Sequence, residues 1–89
     1  MANNDDVDEA VQDALELVRY MVESILGSDV DLELGTDREP GELCVNVHVP
    51  ADKRGRIIGR HGRAARSMRN ILAAADLGLH RRVTLDIVD

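Results

Sequence analysis

The feature that most limits how this chain can fold is a glycine pair, Gly59 and Gly62, set in the stretch RGRIIGRHGRAARSMRNIL at residues 54–72. A helical pattern from Lys53 stops at the first glycine, and a second begins directly after the other. Glycine breaks a helix and reaches backbone conformations closed to other residues, so two short helices must meet there in a tight turn that an outside group can approach closely. Strand-like alternation flanks the joint on both sides. Leu43, Val45, Val47 and Val49 alternate with Cys44, Asn46 and His48 before it, and Val83, Leu85 and Ile87 alternate with Thr84 and Asp86 after it. A helical crossover between two strands of one sheet allows them to pair in parallel, and such crossovers are right-handed.

The N-terminal half supplies the rest of the architecture. Val7, Val11, Ala14, Leu15, Val18, Met21, Val22, Ile25 and Leu26 recur mostly at three- and four-residue steps, which predicts an amphipathic helix from Val7 to its stop at Gly27. Residues 1–6 read as a flexible acidic tail with Asp5 or Asp6 as the helix cap. Tyr20 falls off the apolar stripe and is expected to be half-exposed. Val30, Leu32 and Leu34 alternate with Asp31 and Glu33 as a first strand, and GTDREPGE, residues 35–42, supplies the turn of a hairpin. Pro50 closes the next strand, Asp52 caps the short helix from Lys53, and the helix after Gly62 is expected to run to Gly78. That last helix places Ala64, Ala65, Met68, Ile71, Leu72 and Ala75 on one face and Arg63, Arg66 and Arg69 on another. The order is α-β-β-α-α-β: an α+β fold, one domain over residues 7–89, with a three-stranded mixed sheet covered on one face by three helices.

Composition narrows the chemistry. The 89 residues include no Phe, no Trp and one Tyr, so the core must be aliphatic and a ligand site has few aromatic rings to stack on. Cys44 is the only cysteine, which rules out an internal disulfide and a multi-cysteine zinc site, fits a reducing compartment, and reads as a small buried hydrophobe. His48 reads as a surface residue. No apolar run is long enough for a membrane span and the N-terminus is acidic, so the expected location is cytoplasmic.

The net charge of −6 conceals a division along the chain. Residues 1–52 hold 14 acids and 2 bases, whereas residues 53–82 hold 9 bases and a single acid, Asp76. A basic face of this kind attracts polyanions even on an acidic molecule, because exposed charges are screened over about 8 Å. At its centre the glycine turn presents the N-terminus of the Arg63 helix, where unpaired N–H groups and the helix dipole favour an anion. Arg60, His61, Arg63 and Arg66 add side-chain donors, and Ile57 and Ile58 add apolar surface. A phosphodiester chain with its bases turned inward fits that combination.

The segment RIIGRHGRAARSMRNIL resembles the signature of a KH domain, and a helix and two strands before it with one strand after it resemble the type II, bacterial arrangement. The resemblance spans nearly the whole chain. It implies that Gly59 and Gly62 are the loop glycines of a G-x-x-G clamp for about four single-stranded nucleotides, with Arg60 and His61 meeting the phosphates. Ile57 and Ile58 match the aliphatic pair before the loop, one of which would line a base groove. It further implies single-stranded RNA as partner, a homodimer or a heterodimer with a larger KH protein, and a part in RNA metabolism and the control of cell elongation and division.

Other functions fit less well. A helix-turn-helix DNA reader also places a glycine-containing turn before a basic helix, but here the first helix is short and both lie inside a strand crossover. A Walker loop would need Gly-Lys-Ser/Thr and a dinucleotide fingerprint G-x-G-x-x-G, and neither occurs. Ser67 is near His61 in sequence but sits in a helix interior with no acid beside it, so no enzyme activity, cofactor or metal is expected. An assembly module with residual RNA binding is the remaining alternative.

Overall fold

Three strands, β1 (Glu33–Glu39), β2 (Glu42–His48) and β3 (Arg82–Ile87), form one sheet in that order in the computed structural model, which describes residues 4–39, 41–75 and 82–88. β1 pairs antiparallel with β2, from Glu33 opposite His48 to Glu39 opposite Glu42. β2 pairs in parallel with β3, from Glu42 opposite Arg82 to Val47 opposite Ile87. The sheet is therefore mixed, as the crossover requires. The helices are α1 (Asn4–Leu26), α2 (Ala51–Ile58) and α3 (Arg63–Ala74), with a single 3-10 turn, Arg60–Gly62, between the last two.

The period-two pattern of β2 decides where the core lies. Leu43, Val45 and Val47 are fully buried beneath the helices, whereas Cys44 and Asn46 between them are only half-buried and His48 is exposed. Val11, Ala14, Val18, Met21 and Val22 of α1 meet that face together with Ile57, Met68, Leu72, Val83 and Leu85. Burying such side chains contributes about 1.5–3 kcal/mol each, so an aliphatic core of this extent suffices without aromatic residues.

Element ends depart from the sequence pattern where hydrophobicity carries no information. α1 takes in Asp5 and Asp6, expected as its caps, and begins at Asn4; residues 1–3 of the expected tail lie outside the described residues. At its other end Gly27 has φ 101° and donates its N–H to the Glu23 carbonyl at 2.8 Å, stopping the helix where expected. β1 starts three residues after Val30 and runs through most of the segment read as a hairpin turn. β2 has a row of backbone groups to satisfy along its whole length, and residues 35–39 pair with it although mostly polar. The turn thus narrows to the two residues between Glu39 and Glu42, with Gly41 at φ 76° and Pro40 outside the described residues. α2 starts at Ala51, two residues early, because Pro50 is its N-cap and leaves Asp52 in the first turn. α3 ends at Ala74, where Ala75 turns extended with ψ 133°, ahead of the expected stop at Gly78, which lies outside the described residues.

Candidate nucleic-acid interface

The Gly59–Gly62 turn is built from backbone conformations that side chains resist. The N–H of Gly59 closes α2 on the Gly55 carbonyl at 2.9 Å, and its φ of 80° sends the chain out of the helix. A Cβ there would lie 2.7 Å from the Cβ of Ala64 and 2.8 Å from its nitrogen, so glycine is also needed for space. Gly62 has φ 74° and donates to the Gly59 carbonyl at 3.1 Å, but a Cβ on it would meet nothing within 4 Å. Between them His61 is held at φ 58°, the one non-glycine residue at positive φ among the described residues. Gly62 is the N-cap of α3 and no side chain caps that terminus, although the N–H of Arg63, the first residue of the helix, is already taken by the Arg60 carbonyl of the turn.

Of the residues singled out from sequence, Arg60, His61, Arg63 and Arg66 are exposed and follow one another from the turn onto the first turns of α3. Ile58 joins them at the surface with 39 % of its area exposed. Ile57 does not: it is wholly buried and belongs to the core, so only one of the aliphatic pair can meet a ligand. α2 is seated from the far side by Arg56, whose Nη2 donates to the Ile25 carbonyl of α1 at 3.0 Å.

The structure divides α3 more finely than its two-faced pattern. Ala65, Met68 and Leu72 are buried, and the flanks to either side differ. On one flank Arg69 reaches β3, its Nε donating to the Leu85 carbonyl at 2.9 Å, with Arg66 one turn before it. On the other, Ala64, Ser67 and Ile71 face Tyr20, Ser24 and Ile25 of α1 across a groove of about 320 Å³. Tyr20 and Ile71 stand 71 % and 51 % exposed, so Tyr20 is more open than its position off the stripe suggests. The sequence put Ile71 among the core-facing residues and did not separate Arg69 from the other arginines. Only its six-residue offset from Arg63, which turns it toward the buried side of the helix, hinted at a different role.

The opposite surface of the sheet is electrically unlike the turn. The registers place Glu33, Asp37, Glu39, Glu42 and Asp86 on the outer face with Cys44 and Asn46. Asn46 donates its Nδ2 to Asp37 at 2.9 Å, and the Cys44 thiol lies 3.6 Å from the Asn46 Oδ1. Burial, followed by the negative charges of Asp86, Asp37 and Glu42, pushes the Cys44 thiol above its ordinary range. Cys44 is thus a half-buried thiol on the outer face and not the core hydrophobe expected, and its environment keeps it protonated. Among the described residues there is no group of side chains suited to a metal ion, and no helix is long and apolar enough to cross a membrane.

Comparison with known proteins agrees with this geometry. The family model described as "KhpA/KhpB, KH domain" matches residues 15–87, from the middle of α1 to the end of β3. The chain is similar to the RNA-binding protein KhpA of Mycobacterium bovis, 39 % identical over 80 residues that cover 89 % of this chain and 91 % of the relative. It is 32 % identical to the RNA-binding protein KhpA of Borreliella burgdorferi over 84 % of this chain and 92 % of that protein. With the protein of the same name from Treponema pallidum it shares 32 % identity over 83 % of this chain and 92 % of the relative. A glycine-bounded turn between two short helices, inside a crossover between parallel strands, on a chain matched from α1 to β3, makes this protein a member of the KhpA/KhpB KH-domain family.

Proposed function

We propose that this protein binds short stretches of single-stranded RNA, holding the phosphate backbone on the Gly59–Gly62 turn. The single observation that carries the reading is the N-terminus of α3, which no side chain caps, opened by Gly62 and flanked by the exposed Arg60, His61 and Arg63. Backbone N–H groups and the helix dipole receive a phosphate there, and the arginines neutralise its neighbours. The bases then lie toward Ile58 and the arginine flank of α3. With no aromatic ring at hand, one site of this kind gives micromolar affinity at best.

The protein works as a dimer, with itself or with a larger KhpB-like KH protein, in RNA metabolism and the control of cell elongation and division. Exposed Tyr20 and Ile71 beside the α1–α3 groove support a second copy seated there. An isologous contact about Tyr20 and Ile71 buries the apolar flank of one copy against that of the other, which makes the face self-complementary. Two linked RNA sites gain through effective concentration. The same groove favours a second reading, an assembly module in which RNA binding is residual.

Replacing both Arg60 and His61 with aspartate separates the two. The clamp reading expects RNA affinity to fall at least about 100-fold, since two negative charges replace the donors that meet phosphates. The fold should survive, because both side chains point outward and Asp is favourable near a helix N-terminus by about 0.3–1 kcal/mol. Fluorescence anisotropy with a short single-stranded RNA and thermal unfolding provide the readouts; unchanged affinity in the folded variant would end the clamp reading and leave the assembly module.

A further inference from the structure

Arg69 is held differently from the other arginines of α3. It sits on α3 about 9 Å along the axis from Arg63, beyond the turn that would hold the backbone. Although exposed, its side chain is fastened to β3 by the Nε bond to the Leu85 carbonyl. That carbonyl belongs to the free edge of the sheet. The N–H groups of Arg82 and Val88 reach across to the Gly41 and Val47 carbonyls, so in a parallel pairing the alternate residues Val83, Leu85 and Ile87 direct their backbone groups away from β2. Arg69 therefore takes the central acceptor of the edge, and its Nη atoms make no hydrogen bond among the described residues.

We infer that Arg69 reads a base, and that the base is guanine. This rests on the reading of the turn and α3 as the RNA-binding surface, and adds to it which nucleotide the groove selects. The Nε bond fixes the plane of the guanidinium and leaves its Nη edge as a two-donor fork, whose geometry matches the O6 and N7 acceptors of guanine. The Leu85 N–H beside it is another donor. Adenine presents its N6 amino donor where guanine presents O6, so the fork would face another donor, and a polar group desolvated without a partner is penalised. The absence of Phe and Trp sharpens the choice, because stacking is tolerant of base identity and hydrogen bonding is not.

The test uses the full chain and seven-nucleotide oligouridines carrying guanosine, adenosine, uridine or 7-deazaguanosine at the centre. The expected result is roughly 10-fold tighter binding of the guanosine oligomer than of the adenosine one, at the low end for a bidentate arginine–guanine contact, with most of the gain lost for 7-deazaguanosine. Arg69→Ala and Arg69→Lys should bring all four within about 2-fold while the salt dependence stays that of the wild type; the lysine variant retains the charge and lacks the fork. A wild-type protein that binds all four equally overturns the inference and leaves the RNA reading intact, as does a variant that keeps the preference. An equal loss on all four oligomers with a shallower salt dependence makes Arg69 a phosphate ligand instead, and failure of the wild type to bind any of them removes the RNA reading and this inference together.

Discussion

The two flanks of α3 both reach the surface and are chemically opposed. Toward β3 the helix offers Arg66 and Arg69, and its neighbour contributes a strand edge with backbone donors and acceptors. Toward α1 it offers Ala64, Ser67 and Ile71, and its neighbour contributes Tyr20 and Ile25. A helix of 12 residues can do this because its periodicity separates positions that sequence neighbours share. Ser67 and Met68 go to the apolar groove and the core, Arg66 and Arg69 to the strand edge. The difference teaches that exposure alone does not define a binding surface; what the adjacent element contributes decides whether a flank suits a polyanion or an apolar partner.

The comparison breaks most readily at Ile71. Ile71→Glu should weaken self-association at least about 30-fold, the scale of a central contact in an interface, while affinity for a four-nucleotide RNA changes less than about 2-fold. Sedimentation equilibrium and anisotropy on the same samples check both; a variant that remains dimeric would remove the α1–α3 groove from the assembly surface. Salt sharpens the contrast without mutation. With about three phosphates held and a slope near −0.7 for each, a fourfold rise in salt should cost RNA affinity roughly 20-fold. Self-association through the apolar flank should move less than about 3-fold over the same range, and parallel slopes would mean that both events use the arginine flank.

Smaller effects distinguish the two glycines. Gly59→Ala should cost about 2–3 kcal/mol, combining positive φ with the clash against Ala64, whereas Gly62→Ala pays for φ alone at about 1 kcal/mol. Thermal unfolding should register the first as a loss of about 10 °C or more and the second as about half that; equal shifts would show that Ala64 gives way. The smallest effect lies on the far side of the sheet. Because the Cys44 thiol is held above its ordinary range, the thiolate fraction at pH 8 is reduced, and alkylation by iodoacetamide should run several-fold slower than for free cysteine. The rate should rise only at higher pH, and replacing Asp37 and Asp86 with asparagine should move the onset downward.

The architecture was legible where burial imposes a period. The valines of β2, the stripe of α1 and the stop at Gly27 follow from apolar spacing and a helix-ending glycine, and the element order emerges intact. Residues 35–39 were hidden because β1 is an edge strand held by backbone pairing, which leaves no hydrophobic trace. The turn residues Arg60 and His61 stood out through their bounding glycines. The separate roles of Ile57 and Ile58, and of Arg69 and its neighbours, depend on which way a helix end points, and adjacent residues of like chemistry give no sign of it.

The acidic outer face of the sheet has a consequence for how much RNA one molecule can cover. Glu33, Asp37, Glu39, Glu42 and Asp86 lie on the side turned away from α3. If RNA is held on the turn as proposed, a strand leaving it meets repulsion as soon as it bends around the domain, so its flanking nucleotides continue into solvent. On that proposal the footprint would be kept to the few nucleotides touching α3 and the strand edge. A brief, local grip follows from this, and it leaves the rest of the transcript free to pair, fold or be passed to another protein.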